Sequence, residues 1–485
     1  MANFFKVSTN KNSSKVSLIA QVTRLDDNGC GVANLQNKPL FIQGALPNET
    51  VEVKVFEQKN KYARAKLINI KQASVDRVKP KCLHFGVCGG CDLQMLAVEQ
   101  QLPFKQQKVM AIFSRYFPEM HQDTKLLPWQ ASITSSPWHY RRKARLGVQF
   151  NKKAEAVIGF RQKATNQLVA IKSCPVLVEP LSDIFPILKN ILAKLTVKAA
   201  IGHIEVIYAD IDNADDRITL VVRQLKPINK QDVILWSTSA IQQYWQVIID
   251  DGESQKNISS HQFIVPPITK TDSHSHENNG AHSLSYRLPQ SITAYQDNQG
   301  KVRPIKLNFA HHDFIQVNHH VNLAMIEQAL LWLQIEPSDN MLDLFCGLGN
   351  FSLAMATLAD KVTGVEGVQA MTDQANRNAQ GNGINNCQFY QSNLNEPWLE
   401  QSWAKQNFDK VLLDPARAGA EQAVQQIAQL KIPIILYVSC DPSTLARDSQ
   451  LLMSCGYQLE KISLIDMFSQ TKHIETMALF RLKTI

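Results

Sequence analysis

From about Asp313 onward, short apolar runs that end in turn residues alternate with helix-length segments, the period of a parallel, doubly wound sheet. Strand NMLDLF leads into CGLGN and the helix FSLAMATLA, and strand KVTGVE into helix AMTDQANRNA. Strands CQFYQSN and FDKVLLD, helix EQAVQQIAQL, strand IPIILYVS and helix STLARDSQLLM follow. QLEKISLIDM and TMALFRL then close the pattern as an antiparallel pair at one edge. The fold class of this region is therefore α/β, and its ligands are expected beyond the carboxyl ends of the strands.

The chemistry-bearing residues fall at those ends. Asp343-Leu344-Phe345-Cys346-Gly347-Leu348-Gly349-Asn350 sets a Gly-x-Gly turn between the first strand and its helix, so that backbone can approach a ligand closely. A tight structural turn explains that pattern equally well. Glu366, nineteen positions after Gly347, ends the second strand, where a carboxylate can bind the two ribose hydroxyls of a nucleoside. The loop lacks a complete G-x-G-x-x-G and has no cation placed for a pyrophosphate, which favours S-adenosylmethionine over a dinucleotide. Asn393 and Asp414 end the third and fourth strands and would complete the rim; either could equally cap a helix.

Tyr437-Val438-Ser439-Cys440-Asp441-Pro442 ends the fifth strand with a cysteine directly before a helix start, where the positive dipole end favours a thiolate. One reaction that needs such a group is methylation of uracil carbon 5. The ring becomes reactive there only after a thiolate has added to carbon 6, and a base must later remove the proton. Cys346, Cys387 and Cys455 read as structural cysteines, and Cys30, in a turn, has no assigned role.

The N-terminal part differs in kind. With 485 residues the chain exceeds one hydrophobic core, and three domains are expected, at 12–71, 72–310 and 311–485. Residues 12–71 read as short strands broken by Asn, Gly and Pro turns, a small β-barrel. The Gly29-Cys30-Gly31-Val32-Ala33 turn and the Gly44-Ala45-Leu46-Pro47-Asn48-Glu49 corner resemble the TRAM domain, an RNA-binding, OB-like module, an unrelated small barrel being the alternative. The central region is mixed α+β, and within it residues 269–283, TKTDSHSHENNGAHS, read as a disordered insertion rather than a metal tract.

The net charge of +8 is concentrated in two runs. One joins Lys59, Lys61, Arg64, Lys66, Lys71, Arg77, Lys79 and Lys81. The other lies between Trp138 and Cys174, where Arg141, Arg142, Lys143 and Arg145 and five further cations face one acid, Glu155. Such runs are footprints for a phosphate backbone, although either by itself would suit a solvated face. No apolar run reaches membrane-spanning length and the N-terminus lacks a signal-peptide core, so no membrane partner and a cytoplasmic location are expected. Nine cysteines in such a chain argue against a disulfide framework. Cys82, Cys88 and Cys91, with Cys174 as a fourth thiolate, suit an iron–sulfur cluster, and zinc is the alternative.

FIQVN at Phe314–Asn318, LDLFCGLGNF, DPARAG from Asp414, SCDPSTLARD from Ser439 and a final HIET resemble the RNA uracil-5 methyltransferases, over the whole catalytic region. The resemblance implies a class I, Rossmann-like methyltransferase domain with Cys440 as nucleophile and Glu475 as base. It implies S-adenosylmethionine contacts from Gln316, Phe345, Asn350, Glu366, Asn393 and Asp414, and in some members a [4Fe-4S] cluster on the cysteine pattern. A barrel together with a cluster resembles the branch acting on 23S ribosomal RNA. A monomer acting on a single-stranded or flipped uridine is expected. An enzyme acting on tRNA or on another rRNA site, and an RNA-binding assembly factor without turnover, are the rival readings. One departure is visible: Met467-Phe468-Ser469-Gln470-Thr471 stands where the family usually has Met-Phe-Pro-His-Thr.

Overall fold

The computed structural model describes residues 17–118, 127–211, 214–227, 229–250, 262–264, 284–289 and 303–483. The proposed insertion at 269–283 lies outside them. The chain divides into two compact units: Met1–Lys108 with Gln470–Lys472, and Val109–Ser469 with His473–Ile485.

In the first unit, alternation of apolar and polar residues makes six strands in one sheet. Their order is Ser17–Gln21, Thr50–Gln58, Ala63–Gln72, Lys38–Gln43, Gly31–Leu35 and Arg24–Leu25. The inward positions, Leu40, Ile42, Val51, Val53, Ala63 and Ala65, form its core. Gly31 is required there, since a Cβ would stand 2.8 Å from the Ala45 carbonyl oxygen. At the corner, the fully buried Glu49 accepts hydrogen bonds from Leu46 N–H (2.8 Å), Ser74 N–H (3.3 Å) and Arg77 Nη2 (2.9 Å). Burial alone would push this carboxyl up, but the Arg77 guanidinium and the two amides outweigh it and hold the acid below its usual range. Arg77 is thus held inside by Glu49 and by the Gly44 carbonyl rather than presented to RNA.

Gln470–Lys472 complete this unit. The Gln470 carbonyl accepts from the amides of Asp92 and Leu93 at 2.9 and 3.0 Å. Its amide donates to Gln101 Oε1 at 3.0 Å, and Lys472 reaches Asn28 at 2.9 Å. Gln470 has φ +69°, so the residue that departs from the family's usual histidine sits at a left-handed turn whose backbone groups are satisfied.

Among the described residues the second unit holds two sheets. The catalytic one has seven strands, ordered Cys387–Gln391, Lys361–Glu366, Asn340–Leu344, Lys410–Leu413, Ile434–Ser439, Glu475–Leu482 and Tyr457–Ile465. The first five are parallel, and Glu475–Leu482 runs antiparallel between Ile434–Ser439 and the edge strand, as the pattern predicts. The helix expected over FSLAMATLA contracts to one turn, Ser352–Met355, and the chain continues in turns to reach the next strand at Lys361. The other sheet has nine strands, with Lys143–Phe150, Ile201–Ile211, Ala214–Gln224 and Gln246–Asp250 at its centre. One apolar core runs through both, from Ile207, Val221 and Tyr286 to Met341, Leu412 and Leu436. Helix Gln369–Gly381 and the Asn382 that follows it clasp strand Ile305–Phe309. Asn378 and Asn382 accept from Asn308 and Lys306 N–H at 2.9 and 2.8 Å and donate back to the same residues' carbonyls.

Candidate active site

The register of the antiparallel pair brings two of the expected site residues together. Ser439 stands opposite Thr476, so the next step sets Glu475 abreast of Cys440 at the end of the parallel strands. Cys440 is half-buried and Glu475 is buried. Burial pushes the Cys440 thiol up to about 11, the negative charges of Glu475 and Asp414 push the same way, and Arg417 opposes them. The helix-start argument for a ready thiolate is therefore outweighed. Asp441 does cap helix Pro442–Ser454, accepting from Ser443 N–H at 2.8 Å, but desolvation and two carboxylates dominate the sulfur. Burial also raises Asp414, to about 7.

Arg417 was not singled out from the sequence, although DPARAG contains it. Its loop is fixed from below by Asp448, a fully buried acid that accepts from Ala420 N–H (2.9 Å), Tyr437 hydroxyl (2.7 Å) and Arg447 Nε (2.8 Å). Arg447 also donates to the Ala418 carbonyl at 3.2 Å. Gly419 fits between them at φ +77°, where a Cβ would stand 2.7 Å from Arg447 Nη2 and 2.8 Å from Asp448 Oδ2. The Arg-Asp pair of SCDPSTLARD is thus a brace for the DPARAG loop.

At the Gly-x-Gly turn, Phe345, Gly347 and Gly349 all have positive φ, of +64°, +56° and +89°. An aromatic residue in that conformation is strained, a cost that concentrates where a ligand is held. Glu366 folds over the turn, accepting from Gly347 N–H at 3.2 Å and Val368 N–H at 3.0 Å. Asn350 exchanges amide hydrogen bonds with Asn322 (2.9 and 3.1 Å) and accepts from the Tyr286 hydroxyl at 2.9 Å. The Gln316 carbonyl accepts from Arg142 Nε at 3.1 Å. Asn393 is exposed and engaged in its own turn, donating to Glu396 at 2.7 Å and accepting from Asn395 N–H at 3.2 Å. Beneath them Asp343 is fully buried, with its Oδ1 lacking a hydrogen-bond partner among the described residues. Burial raises it to about 7 against the opposing Ser352 hydroxyl, with Asp414 and Glu366 adding to the rise. An acid-rimmed cradle with close backbone approach suits a nucleoside that lacks phosphate and carries a cationic centre.

The cysteines of the proposed cluster are half-buried. Cys82 and Cys88 sulfurs each accept a backbone N–H at 3.4 Å, from His84 and Gly90. Among the described residues no group of three or more His, Cys, Asp or Glu is arranged to hold a metal.

The basic run after Trp138 is partly inward. Arg142 is buried and Lys143 donates to the carbonyls of His311 (2.7 Å) and Asp313 (2.9 Å), whereas Arg145, paired with Glu205, is exposed. A groove of about 600 Å³ is lined by Arg141, Lys143, Arg145, His203, Arg223 and the exposed Phe314. No helix among the described residues is long and apolar enough to cross a membrane.

Residues 294–483 match the family described as tRNA (Uracil-5-)-methyltransferase, and residues 19–68 match the TRAM domain. A Colwellia psychrerythraea protein named 23S rRNA (uracil(1939)-C(5))-methyltransferase RlmD is 59% identical, with 99% of each chain covered. Its namesake from Psychromonas ingrahamii is 42% identical over 99% of this chain and 100% of that one. Among solved structures, the tRNA (uracil-54, C5)-methyltransferase of Pyrococcus abyssi in complex with S-adenosyl-L-homocysteine shares the fold. Its TM-score is 0.68 at 20% identity, over 95% of this chain and 99% of that one. With a class I methyltransferase sheet, an N-terminal TRAM domain and relatives this similar over their whole length, the chain belongs to the RlmD family of 23S rRNA uracil-5-methyltransferases.

Proposed function

We propose that the protein methylates carbon 5 of a uridine in 23S ribosomal RNA, at the position that its relatives' names give as 1939. The observation that carries this reading is the register that sets Glu475 abreast of Cys440, where the charges of Asp414 and Arg417 also converge. The Cys440 thiol first gives its proton to solvent water, and Arg417 is the cation in place to stabilise the resulting negative sulfur. Addition of that sulfur to carbon 6 drives the ring's double-bond electrons toward carbon 5 and the carbonyl oxygen. S-Adenosylmethionine, when held by Gln316, Phe345, Asn350, Glu366, Asn393 and Asp414, supplies the methyl group from a sulfonium centre. Glu475 then takes the proton from carbon 5. The electron pair of that C–H bond re-forms the ring double bond, and the bond between carbon 6 and Cys440 breaks.

The target base must leave its stack, so a single-stranded or flipped uridine is the substrate. In this reading 12–71 is the RNA-binding segment, 72–310 the central one and 311–485 the catalytic one, acting as a cytoplasmic monomer. RNA bearing 5-fluorouridine at the target tests the mechanism, because fluorine cannot leave as a proton does. A denaturation-stable adduct is expected with the wild type and none with Cys440→Ala; equal adduct from both would sink the assignment.

The spacing of Cys82, Cys88, Cys91 and Cys174 further supports a [4Fe-4S] cluster of structural role, and the amide donors to the sulfurs of Cys82 and Cys88 suit thiolate ligands. No step of the reaction passes through it. Anaerobically purified protein is expected to be brown, whereas colourless protein with stoichiometric zinc would contradict the cluster.

A further inference from the structure

We propose that Tyr286, from the nine-stranded sheet, is a positioning residue of the cofactor site: with Asn322 it locks the Asn350 amide so that one N–H is kept for an acceptor group of bound S-adenosylmethionine. The inference rests on the cofactor pocket assigned above.

The hydrogen-bond inventory of Asn350 carries it. A carboxamide oxygen accepts two hydrogen bonds and its nitrogen donates two. The oxygen of Asn350 is filled by Tyr286 hydroxyl at 2.9 Å and Asn322 Nδ2 at 3.1 Å, and one N–H goes to Asn322 Oδ1 at 2.9 Å. With both acceptor positions taken, the amide cannot flip without losing partners, and what remains among the described residues is a single donor. Tyr286 is fit to enforce this. It is buried on strand Leu284–Leu288, and burial pushes its phenol up to about 12 although Arg142 opposes the rise, so it stays a donor at neutral pH.

The ring is itself held. The Arg142 guanidinium lies over it at 4.6 Å from the centroid, donating to the Gln316 carbonyl at 3.1 Å and to His319 Nδ1 at 3.3 Å. Burial, then the charges of Arg142 and His320, pushes His319 down to about 3, so it remains a neutral acceptor. One buried arginine therefore braces Tyr286 and the main chain of Gln316, and the nine-stranded sheet supports two contacts of the cofactor pocket.

The test is calorimetric binding of S-adenosylhomocysteine to the full chain, with steady-state methylation at saturating S-adenosylmethionine. Tyr286→Phe is expected to weaken binding about five-fold, the size of one lost hydrogen bond, with kcat near wild type. Adding it to Asn350→Ala should cause no further loss, because the tyrosine acts through that amide. A folded Tyr286→Phe protein with unchanged affinity, or losses that simply add, would overturn the inference while leaving the pocket intact. Unchanged affinity in Asn350→Ala would overturn the pocket assignment and this inference with it. Should Tyr286→Phe fail to fold, Asn322→Ala removes the other lock and is expected to weaken binding similarly; full affinity there overturns the proposal.

Discussion

Cys440 sits under opposing influences that its own neighbours in sequence do not reveal. The helix start beside it favours a negative sulfur, yet burial and the charges of Glu475 and Asp414 hold the thiol at about 11. The resting enzyme therefore carries a protonated, poorly reactive sulfur, which protects it from casual alkylation. The rate of Cys440 modification by iodoacetamide, followed by peptide mass spectrometry, is expected to climb about ten-fold per pH unit between roughly pH 7 and 10. In Glu475→Gln the like charge is gone, so the same profile should move to lower pH; an unmoved profile would show that the two groups do not feel each other. The placement of Cys440 at a strand end was legible in Ser-Cys-Asp-Pro. Its protonation was not, because the deciding charges arrive from two other segments. Arg417 escaped notice for the same reason, since nothing adjacent to it marks the sulfur as its neighbour.

At the scale of elements, the alternating apolar runs made the parallel sheet readable nearly strand by strand, because two-sided burial leaves so distinct a pattern. The length of the helix after the Gly-x-Gly turn was not readable: Phe351, Leu353, Ala354, Met355, Ala356 and Ala359 are buried although only Leu353, Ala354 and Met355 of them are helical. The DPARAG loop shows what pattern alone conceals. Its shape depends on Asp448, a residue of helix Pro442–Ser454 that collects three hydrogen bonds beneath it. Gly419→Ala would force a side chain against Arg447 and Asp448 at a left-handed φ. A loss of about 1–3 kcal/mol in urea-induced unfolding is expected, with a larger proportional fall in kcat as Arg417 loses its register. Wild-type stability and rate in that variant would refute the brace.

For the molecule as a whole, the basic runs overstate the surface available to RNA. Arg77 is bound to the buried Glu49 and Arg142 is interior, whereas Lys66 and Arg145, the latter paired with Glu205, are exposed. In filter-binding assays with ribosomal RNA fragments, Lys66→Gln is expected to reduce the slope of log affinity against log salt by about one, and Arg77→Gln to leave it unchanged. Arg77→Gln should instead cost about 3–5 kcal/mol in stability, because it strands a buried carboxylate. The Glu49 carboxyl is held below its usual range, so its contribution is present above that range and is lost as pH falls through the lowered value. The wild type should therefore be the more acid-sensitive of the two. These ion pairs join residues far apart in sequence, so a count of charges along the chain could not find them. The small core under the N-terminal strands, by contrast, was plain from their alternation.

The N-terminal unit includes Gln470–Lys472, whose backbone and side chains are bound by Asp92, Leu93, Gln101 and Asn28. Its first hundred residues leave the ribosome long before that segment is translated. A nascent chain must therefore wait with an unfinished seam until synthesis has passed residue 472, and Glu475 emerges immediately afterward. Maturation of this unit and delivery of Glu475 are in this way tied to the same late moment of translation.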